Sequence, residues 1–325
     1  MGKADMVTRS YIQKNNIFAD AFNYLIYNGR KKIQPDCLRE VDVTELAVLP
    51  DHTMTGNGSV ETEQRYRDAL KSAVIMADEK AAYVLLGVEN QTDIHYAMPV
   101  RNMIYDALQY GKQVDRIAAR NKKQKRKTGR TGETSPDLQR AEFLSGFGKK
   151  DKLLPVITLV IHFGAEEWDG PTSLREMFGE TETSLTEFIQ DYKIHLIDPA
   201  RLTDEELKKF HTSLGDVLGC IKHSKSKEEL KTYLVGNSMM ALEIDAIQVL
   251  QTLTGMPVET EKGEEKMELC KALQEWSDEE RSEGRQEVLT ELVKEGCISI
   301  VEAARRASMS EEEFRQKMDE MIKEK

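Results

Sequence analysis

The sequence predicts an α/β fold in which strands and helices alternate over residues 1–200. Residues 81–91 and 153–163 are apolar runs of strand length that are bounded by polar residues. Residues 17–27 carry apolar side chains at helical spacing and are followed by an Asn-Gly pair, which is typical of a helix C-terminus. From Thr203 onward the periodicity is helical, so we expect a helical C-terminal region.

Composition and charge narrow the class of protein. The chain has 325 residues, of which 39% are hydrophobic and 32% are charged, and this is typical of a soluble globular protein of about two domains. The formal net charge of −11 argues against a protein that coats nucleic acid over its whole surface, but it leaves room for a local basic groove. The apolar runs are too short to span a membrane. No apolar signal segment or C-x-x-C pair is present, so we expect a reduced, cytoplasmic setting.

The strand predicted at residues 81–91 ends in three polar residues, Glu89, Asn90 and Gln91. Successive side chains of a strand point to opposite faces, so Glu89 and Gln91 share one face and Asn90 points to the other. Such an end either terminates the strand or delivers two polar groups to a site. Because strand ends are often polar, the strand by itself favours the structural interpretation.

A second carboxylate is predicted to lie near Glu89. Residues 65–76 fit a helix or a strand, and the turn-forming residues 77–80 favour a strand that pairs with residues 81–91 as a hairpin. Antiparallel pairing brings the start of one strand opposite the end of the other, which places Asp68 at the same end as Glu89.

Two carboxylates on adjacent strands are suited to bind a hard divalent cation. Mg²⁺ prefers oxygen ligands, and a bound ion can polarise a phosphoryl oxygen and lower the pKa of a water molecule. Asp68 and Glu89 are the predicted ligands. Gln91 could orient the water or contact a phosphate, but its amide carries no positive charge.

Residues 95–117 predict a long helix with Pro99 in its first turn. Arg101 and Tyr105 lie one turn apart on this helix and could face the strand that carries Glu89. A structural ion pair and a core tyrosine are the alternative interpretation of these two residues.

A run of basic residues follows this helix. Charge runs are usually solvated, but its place beside the predicted site also fits an arm that binds DNA phosphates. The candidate nucleic-acid-binding residues are Arg101 on the helix and, in this run, Lys122, Lys123, Lys125, Arg126 and Lys127.

The C-terminal region is predicted to have two parts. Residues 201–256 form a helical extension, and residues 266–325 form a charged helical tail after an acidic linker. Within the tail, residues 300–314 have the pattern helix, short turn, helix, which resembles half of a helix-turn-helix motif. Because the tail is rich in glutamate, a helical hairpin for self-association is an equally good interpretation, and a homo-oligomer would then form through it.

Several groups of residues occur in the order found in one known family, although no single group is specific. They are Phe18-Ala19-Asp20-Ala21-Phe22, Arg67-Asp68, Gly87-Val88-Glu89-Asn90-Gln91, Met98-Pro99-Val100-Arg101 with Tyr105-Asp106, and Leu154 to Val160 with Phe163-Gly164 and Trp168. Over residues 10–200 the sequence resembles the recombination-promoting nuclease / putative transposase family, the YhgA-like group of the PD-(D/E)xK nuclease superfamily. The resemblance implies a restriction-endonuclease-like core of the order α-β-β-β-α-β, a mixed sheet flanked by helices, and Mg²⁺-dependent DNA cleavage.

The resemblance also implies roles for individual residues. Asp68 matches the superfamily's metal-binding aspartate, Glu89 its second acidic ligand, and Gln91 its lysine. Asp20 matches an acidic residue of the first helix that can join the metal shell, whereas its position off the apolar stripe alone favours a solvated residue. The sequence departs from the pattern because Arg67 replaces the usual proline and Gln91 lacks the lysine charge, which Arg101 could supply.

We therefore expect a cytoplasmic DNA endonuclease of mobile-element type that uses Mg²⁺ or Mn²⁺ and has no membrane partner. A nuclease-fold protein that has lost catalysis and binds DNA or a protein partner is the alternative, and a purely structural interaction protein is a third class. Other chemistries lack their motifs, since the sequence has no phosphate-binding G-x-x-x-x-G-K-[ST] loop, no G-x-S-x-G elbow and no zinc-binding histidine pair.

Overall fold

A five-stranded mixed sheet forms the centre of the N-terminal part of the chain. The computed structural model describes residues 2–41, 44–48, 62–66, 68–77, 80–128, 146–180, 183–236, 241–256, 266–268, 286, 288–294, 296–307 and 309–323. The strands are β1 (Leu38–Glu40), β2 (Thr44–Val48), β3 (Thr62–Tyr66), β4 (Ala69–Ala77), β5 (Lys80–Gln91), β6 (Val156–His162), β7 (His195–Ile197), β8 (Ala241–Glu243) and β9 (Lys266–Glu268).

The order of strands in this sheet is β1-β4-β5-β6-β7. The pairs β1–β4 and β4–β5 are antiparallel, whereas β5–β6 and β6–β7 are parallel. Strands β5 and β6 read as almost continuous apolar runs because each is covered on both sides, as expected for inner strands with parallel pairing. Strands β2 and β3 form a separate antiparallel pair, and so do β8 and β9.

Helices cover both faces of the five-stranded sheet. The first three are α1 (Lys3–Ile12), α2 (Asn15–Tyr27) and α3 (Met98–Thr128). Helix α1 lies on one face, where the side-chain amide of Asn90 donates to Thr8 Oγ1 at 2.7 Å. Helix α3 lies on the other face, where the hydroxyl of Thr158 donates to Asp106 Oδ1 at 2.6 Å.

Along the chain, α2, β1, β4, β5, α3 and β6 follow the predicted order α-β-β-β-α-β. The hairpin β2–β3 is inserted between β1 and β4. A mixed α/β fold with a five-stranded sheet, flanking helices and a helical C-terminal region is therefore confirmed. The later helices are Thr183–Thr186, Asp204–Leu207, Ser213–Lys222, Lys227–Gly236, Ile244–Thr254, Ile300–Ala307 and Glu311–Lys323, with further helical residues at 288–294.

Several predicted boundaries are wrong. The strand predicted at residues 65–76 begins at Ala69, because residues 62–66 pair with β2 instead. Helix α3 begins at Met98 and extends through the basic run to Thr128, since lysine, arginine and glutamine favour helix and no glycine or proline interrupts them. The helical stretch predicted up to residue 254 contains the short strand β8.

The contacts divide the chain into two compact units, Met1–Leu230 with Gln248–Gly255 and Lys231–Ile247 with Met256–Lys325. In the second unit, the last two helices and residues 288–294 share an apolar core that includes Leu289, Ala303, Ala304 and Phe314. The predicted helix, turn and helix are thus present in the tail. The division at residues 200 and 256 stays a prediction. Each helix in the described part of the chain is too short or too polar to cross a lipid bilayer.

Candidate metal centre at the open end of the hairpin

The two predicted carboxylates meet at the open end of the β4–β5 hairpin. Ala69 pairs with Val88, and the same register continued by one residue places Asp68 opposite Glu89. Asp68 is 8% exposed and Glu89 is 0% exposed. Oδ2 of Asp68 accepts a hydrogen bond of 2.8 Å from the backbone N–H of Asn90. Glu89 thus lies within a strand, whereas Asp68 lies in a bend one residue before β4 and is tied to β5 by this hydrogen bond.

The turn between α1 and α2 holds the backbone at Asp68 in place. The side-chain amide of Gln13 donates to the backbone carbonyl of Asp68 at 2.7 Å. The buried ammonium of Lys71 donates to the Gln13 carbonyl at 2.6 Å and to Asn15 Oδ1 at 2.5 Å. Lys71 lies three residues from Asp68, but these contacts and a 3.9 Å ion pair with Glu40 tie its charge to the fold.

Glu89 is paired with an arginine from helix α3. Arg101 Nη2 lies 3.1 Å from Glu89 Oε2, and the Arg101 side chain is 29% exposed. Its Nε donates to the hydroxyl of Tyr105 at 3.2 Å. Burial by itself would lower the pKa of Arg101. The charge of Glu89 and, more weakly, that of Asp68 outweigh this effect, so the pKa is raised overall and the guanidinium stays cationic beside the carboxylates. Arg101 therefore faces the strand that carries Glu89, whereas Tyr105 is buried, as the alternative of a core tyrosine predicts.

The alternation predicted for the strand end is also observed. Glu89 contacts α3 on one face of the sheet, whereas Asn90 contacts Thr8 of α1 on the other. The amide of Gln91 is partly exposed and donates to the carbonyl of Asn90 at 3.0 Å. Gln91 thus lies at the edge of the site, where its amide is partly accessible to solvent.

A fourth charged residue, Arg9 of α1, was not predicted from the sequence. Its Nε lies 3.9 Å from Oδ1 of Asp68, and its side chain is 26% exposed. The signal that could have found it is the helical spacing of Thr8, Tyr11 and Ile12, which are buried and place Arg9 at the rim of the sheet-facing side. The candidate site therefore contains two carboxylates and two guanidinium groups.

Burial raises the pKa of Asp68, and the nearby carboxylate of Asp5 adds to this effect. The N–H of Asn90 and the charges of Arg9 and Arg101 oppose it without cancelling it. Keeping Asp68 ionised therefore costs the folded protein free energy. A bound cation would offset this cost.

A pH dependence of stability follows from this pKa. A group whose pKa is raised by folding stabilises the protein fully below its unfolded pKa of about 4, and this contribution is lost as the pH rises through the folded pKa. We expect the melting temperature of the wild type in EDTA to fall, relative to that of Asp68→Asn, as the pH is raised from about 4 to about 7. Thermal melts of both proteins measure this, and a pH-independent difference would contradict it.

Asp20 is part of a different set of contacts. It is 3% exposed rather than solvated, because the chain at residues 211–212 covers it. Its Oδ2 accepts hydrogen bonds from the backbone N–H of His211 at 2.8 Å and of Thr212 at 2.9 Å, and from the Thr212 hydroxyl at 2.7 Å. Thr212 is the N-cap of the helix Ser213–Lys222, so Asp20 fixes the start of that helix. Its role as a metal ligand stays a prediction.

Two substitutions of Asp20 distinguish a structural role from a role as a metal ligand. Asp20→Ala leaves three partly buried donors without their acceptor, so we expect the free energy of unfolding to fall by about 2–4 kcal/mol. Asp20→Asn keeps one carbonyl oxygen and should cost less. Chemical denaturation measures the stability, and Mn²⁺ titration of Asp20→Asn measures the ligand role. Loss of Mn²⁺ affinity without loss of stability would identify a ligand instead.

The remaining predicted residues lie on α3 or outside the described residues. Lys122 and Lys123 are exposed on the C-terminal part of α3. Lys125, Arg126 and Lys127 continue the same helix, and their side chains lie outside the described residues, as does Arg67. At the end of β6, Nδ1 and Nε2 of His162 lie 3.3 and 3.1 Å from the backbone carbonyl oxygens of Gln91 and Glu166.

The donor set fits a hard divalent cation with few protein ligands. In the described part of the chain, no three His, Cys, Asp or Glu side chains group closely enough to hold a metal ion. Mg²⁺ usually keeps several water molecules and is held by one or two carboxylates, which Asp68 and Glu89 provide. Two cationic side chains already lie against these carboxylates, so a bound ion would have to compete with them for the carboxylate oxygens.

Comparison with known proteins gives a match to a family model. No curated protein and no solved structure matches the chain. A family model described as "Putative transposase, YhgA-like" matches residues 141–245, which include β6, β7 and the helices that follow. Asp68, Glu89 and Arg101 precede this stretch, so their assignment depends on the geometry above. Over residues 141–245, the match confirms the predicted resemblance to the YhgA-like transposase family.

Proposed function

We propose that the chain is a Mg²⁺-dependent DNA endonuclease with a restriction-endonuclease-like core and a role in DNA recombination or transposition. The observation that carries this proposal is the meeting of Asp68 and Glu89 at the open end of an antiparallel hairpin, with Arg101 against them. The α-β-β-β-α-β order of elements and the family match over residues 141–245 support it. We place the activity in a reduced, cytoplasmic setting, in keeping with the cysteine pattern.

Asp68 and Glu89 would hold the ion, which can be Mg²⁺ or Mn²⁺. When bound, the ion polarises a phosphoryl oxygen and makes water a better nucleophile near neutral pH. The strand that carries Glu89 and the hydrogen bond from Asn90 to Asp68 would hold the two carboxylates in place during the reaction. Gln91, at the rim, orients the attacking water or contacts the phosphate through its amide.

Arg101 supplies the positive charge that Gln91 lacks. Its guanidinium already lies within 3.1 Å of Glu89 and is held in place by Tyr105. In a half-buried position, a fixed cation stabilises the negative charge that develops on the phosphate more effectively than it would in water. Asp20 would complete the ligand set, and Mn²⁺ titration of Asp20→Asn tests this role.

DNA binds through cations outside the immediate site. The C-terminal half of α3 carries Lys122 and Lys123 on its exposed surface and leads into Lys125, Arg126 and Lys127. These residues contact backbone phosphates and position the duplex without reading its sequence. Self-association through the helical tail would give a homo-oligomer.

Incubation of supercoiled plasmid with the full chain tests this function. We expect nicked and then linear DNA with Mg²⁺ or Mn²⁺ and intact plasmid with EDTA. Products that carry a 5′-phosphate and a 3′-hydroxyl would accord with attack by water on the phosphodiester. Intact plasmid with both metals would contradict the nuclease proposal and favour a protein that binds without cleaving.

A further inference from the structure

Asn102 of helix α3 is completely buried, yet its side-chain amide bonds to none of the residues that the structure describes. Its relative exposure is 0%, and neither Oδ1 nor Nδ2 has a hydrogen-bond partner among those residues. Burying an amide without hydrogen bonds costs free energy, so a group of this kind usually has a partner in a bound ion or bound water. An oxygen and two N–H donors are thus available at this position.

The neighbours of Asn102 on α3 show which part of the sheet it faces. Met98, one turn earlier, packs in the same apolar cluster as Val160 of β6. Asp106, one turn later, accepts a hydrogen bond of 2.6 Å from the hydroxyl of Thr158, two residues before Val160. Residues four apart lie on the same face of a helix, so Asn102 lies over β6 between Val160 and Thr158.

Glu89 lies at the same level on the neighbouring strand β5. In the parallel pairing of β5 with β6, Glu89 is the partner of Val160, and Gly87 is the partner of Thr158. Glu89 and Gly87 are two residues apart and therefore share the face of the sheet that is covered by α3. Because Gly87 has no side chain, β5 leaves room beside Glu89 at the level of Asn102. The amide and the candidate metal centre are therefore neighbours.

The amide oxygen of Asn102 is chemically suited to the cation of this centre. Asparagine carbonyl oxygens are ligands of hard divalent cations alongside carboxylates. A neutral oxygen adds a ligand to Asp68 and Glu89 without adding negative charge to a buried site. The preceding residue, Arg101, lies 3.1 Å from Glu89, so α3 comes close to the centre at this point.

We infer that Asn102 supplies a further oxygen ligand, its side-chain Oδ1, to the divalent cation at Asp68 and Glu89. This inference rests on the proposed function and names a further metal-binding residue of the same site. The buried amide is then unfavourable in the metal-free protein and favourable in the metal-bound one. Stability and metal affinity should therefore respond in opposite directions when the amide is replaced by an apolar group.

Asn102→Leu tests this inference through metal affinity rather than through activity. Leucine is similar in size and has no ligand atom, so we expect the affinity for Mn²⁺ to fall by at least about tenfold. The melting temperature in EDTA should equal or exceed that of the wild type, because no hydrogen bond to a described residue is lost.

Asn102→Asp tests the same role from the other side. Aspartate keeps an oxygen at the same position and adds a negative charge, so we expect Mn²⁺ affinity at or above that of the wild type. In EDTA the buried charge should lower the melting temperature, and Mn²⁺ should raise it by more than it does in the wild type.

Gln113→Leu is the matched control on the same helix. Gln113 is also buried, but its Nε2 donates to the backbone carbonyl of Leu154 at 3.1 Å and its Oε1 accepts from the Leu154 N–H at 2.7 Å. We expect this variant to melt at a lower temperature and to bind Mn²⁺ with wild-type affinity. Calorimetric titration of the full chain measures affinity, and thermal melts in EDTA and in Mn²⁺ measure stability.

The outcomes separate this inference from the proposed function. If Asn102→Leu is folded and binds Mn²⁺ as tightly as the wild type, whereas Glu89→Gln loses binding, Asn102 is not a ligand and the metal centre stands. Loss of Mn²⁺ affinity in Asn102→Asp as well as in Asn102→Leu would also overturn the inference. If the wild type binds no Mn²⁺, both the inference and the metal centre are wrong. Plasmid cleavage decides the nuclease proposal independently.

Discussion

Replacing Glu89 with glutamine is expected to reduce Mg²⁺-dependent DNA cleavage by at least about 100-fold while the fold stays intact. Glutamine keeps the size of the side chain and an oxygen that can accept from Arg101, so the buried position stays filled and hydrogen-bonded. It removes the negative charge that, in the proposed function, would hold the cation. The initial rate of plasmid nicking measures the activity, and thermal melting measures the fold.

A matched control is available for this substitution. Glu205 has a side chain that is 88% exposed and lies far along the chain from the hairpin, so Glu205→Gln removes one carboxylate charge without touching the site. We expect it to cleave at the wild-type rate. A Glu89→Gln protein that is folded and cleaves at the rate of this control would show that Glu89 does not hold the ion.

Replacing Arg101 with glutamine is expected to lower the cleavage rate by about 100-fold through a different mechanism. The substitution leaves the carboxylates in place and removes the fixed cation beside them. Mn²⁺ affinity should be retained or increased, because the ion no longer competes with a guanidinium for Glu89. Calorimetric titration measures the affinity, and single-turnover cleavage at saturating metal measures the chemical step.

A second substitution distinguishes this role from a purely structural ion pair. The resemblance places the superfamily's lysine at Gln91, whose side chain lies at the rim of the site. We expect Gln91→Lys to restore at least a tenth of the lost activity in the Arg101→Gln background, since it returns a cation to the same edge. If the double variant regains stability but no activity, Arg101 serves the fold alone.

The hairpin could be predicted because its signals are local. The apolar run at residues 81–91 predicts a strand, and antiparallel pairing then places Asp68 near Glu89. Strand β4 begins at Ala69 rather than at residue 65 because residues 62–66 pair with β2. No pattern in residues 65–76 encodes that choice, which depends on the partner strand rather than on the segment itself.

The surroundings of the site could not be predicted, because they depend on contacts between residues far apart in sequence. Asp20 is polar and off the apolar stripe of α2, which is the usual pattern of a solvated residue. It is buried because residues 211–212, far along the chain, fold over it and donate to its carboxylate. Arg9 was missed for a similar reason, since its place at Asp68 depends on the docking of α1 against β5.

Calorimetric titration of Mn²⁺ into the metal-free wild type, Asp68→Asn, Glu89→Gln and Glu205→Gln tests the central claim most directly. We expect the wild type and Glu205→Gln to bind with equal affinity, and each site variant to lose binding by at least about tenfold. The result would not depend on DNA, on turnover or on the oligomeric state. Equal Mn²⁺ affinity in all four folded proteins would contradict a metal centre formed by Asp68 and Glu89.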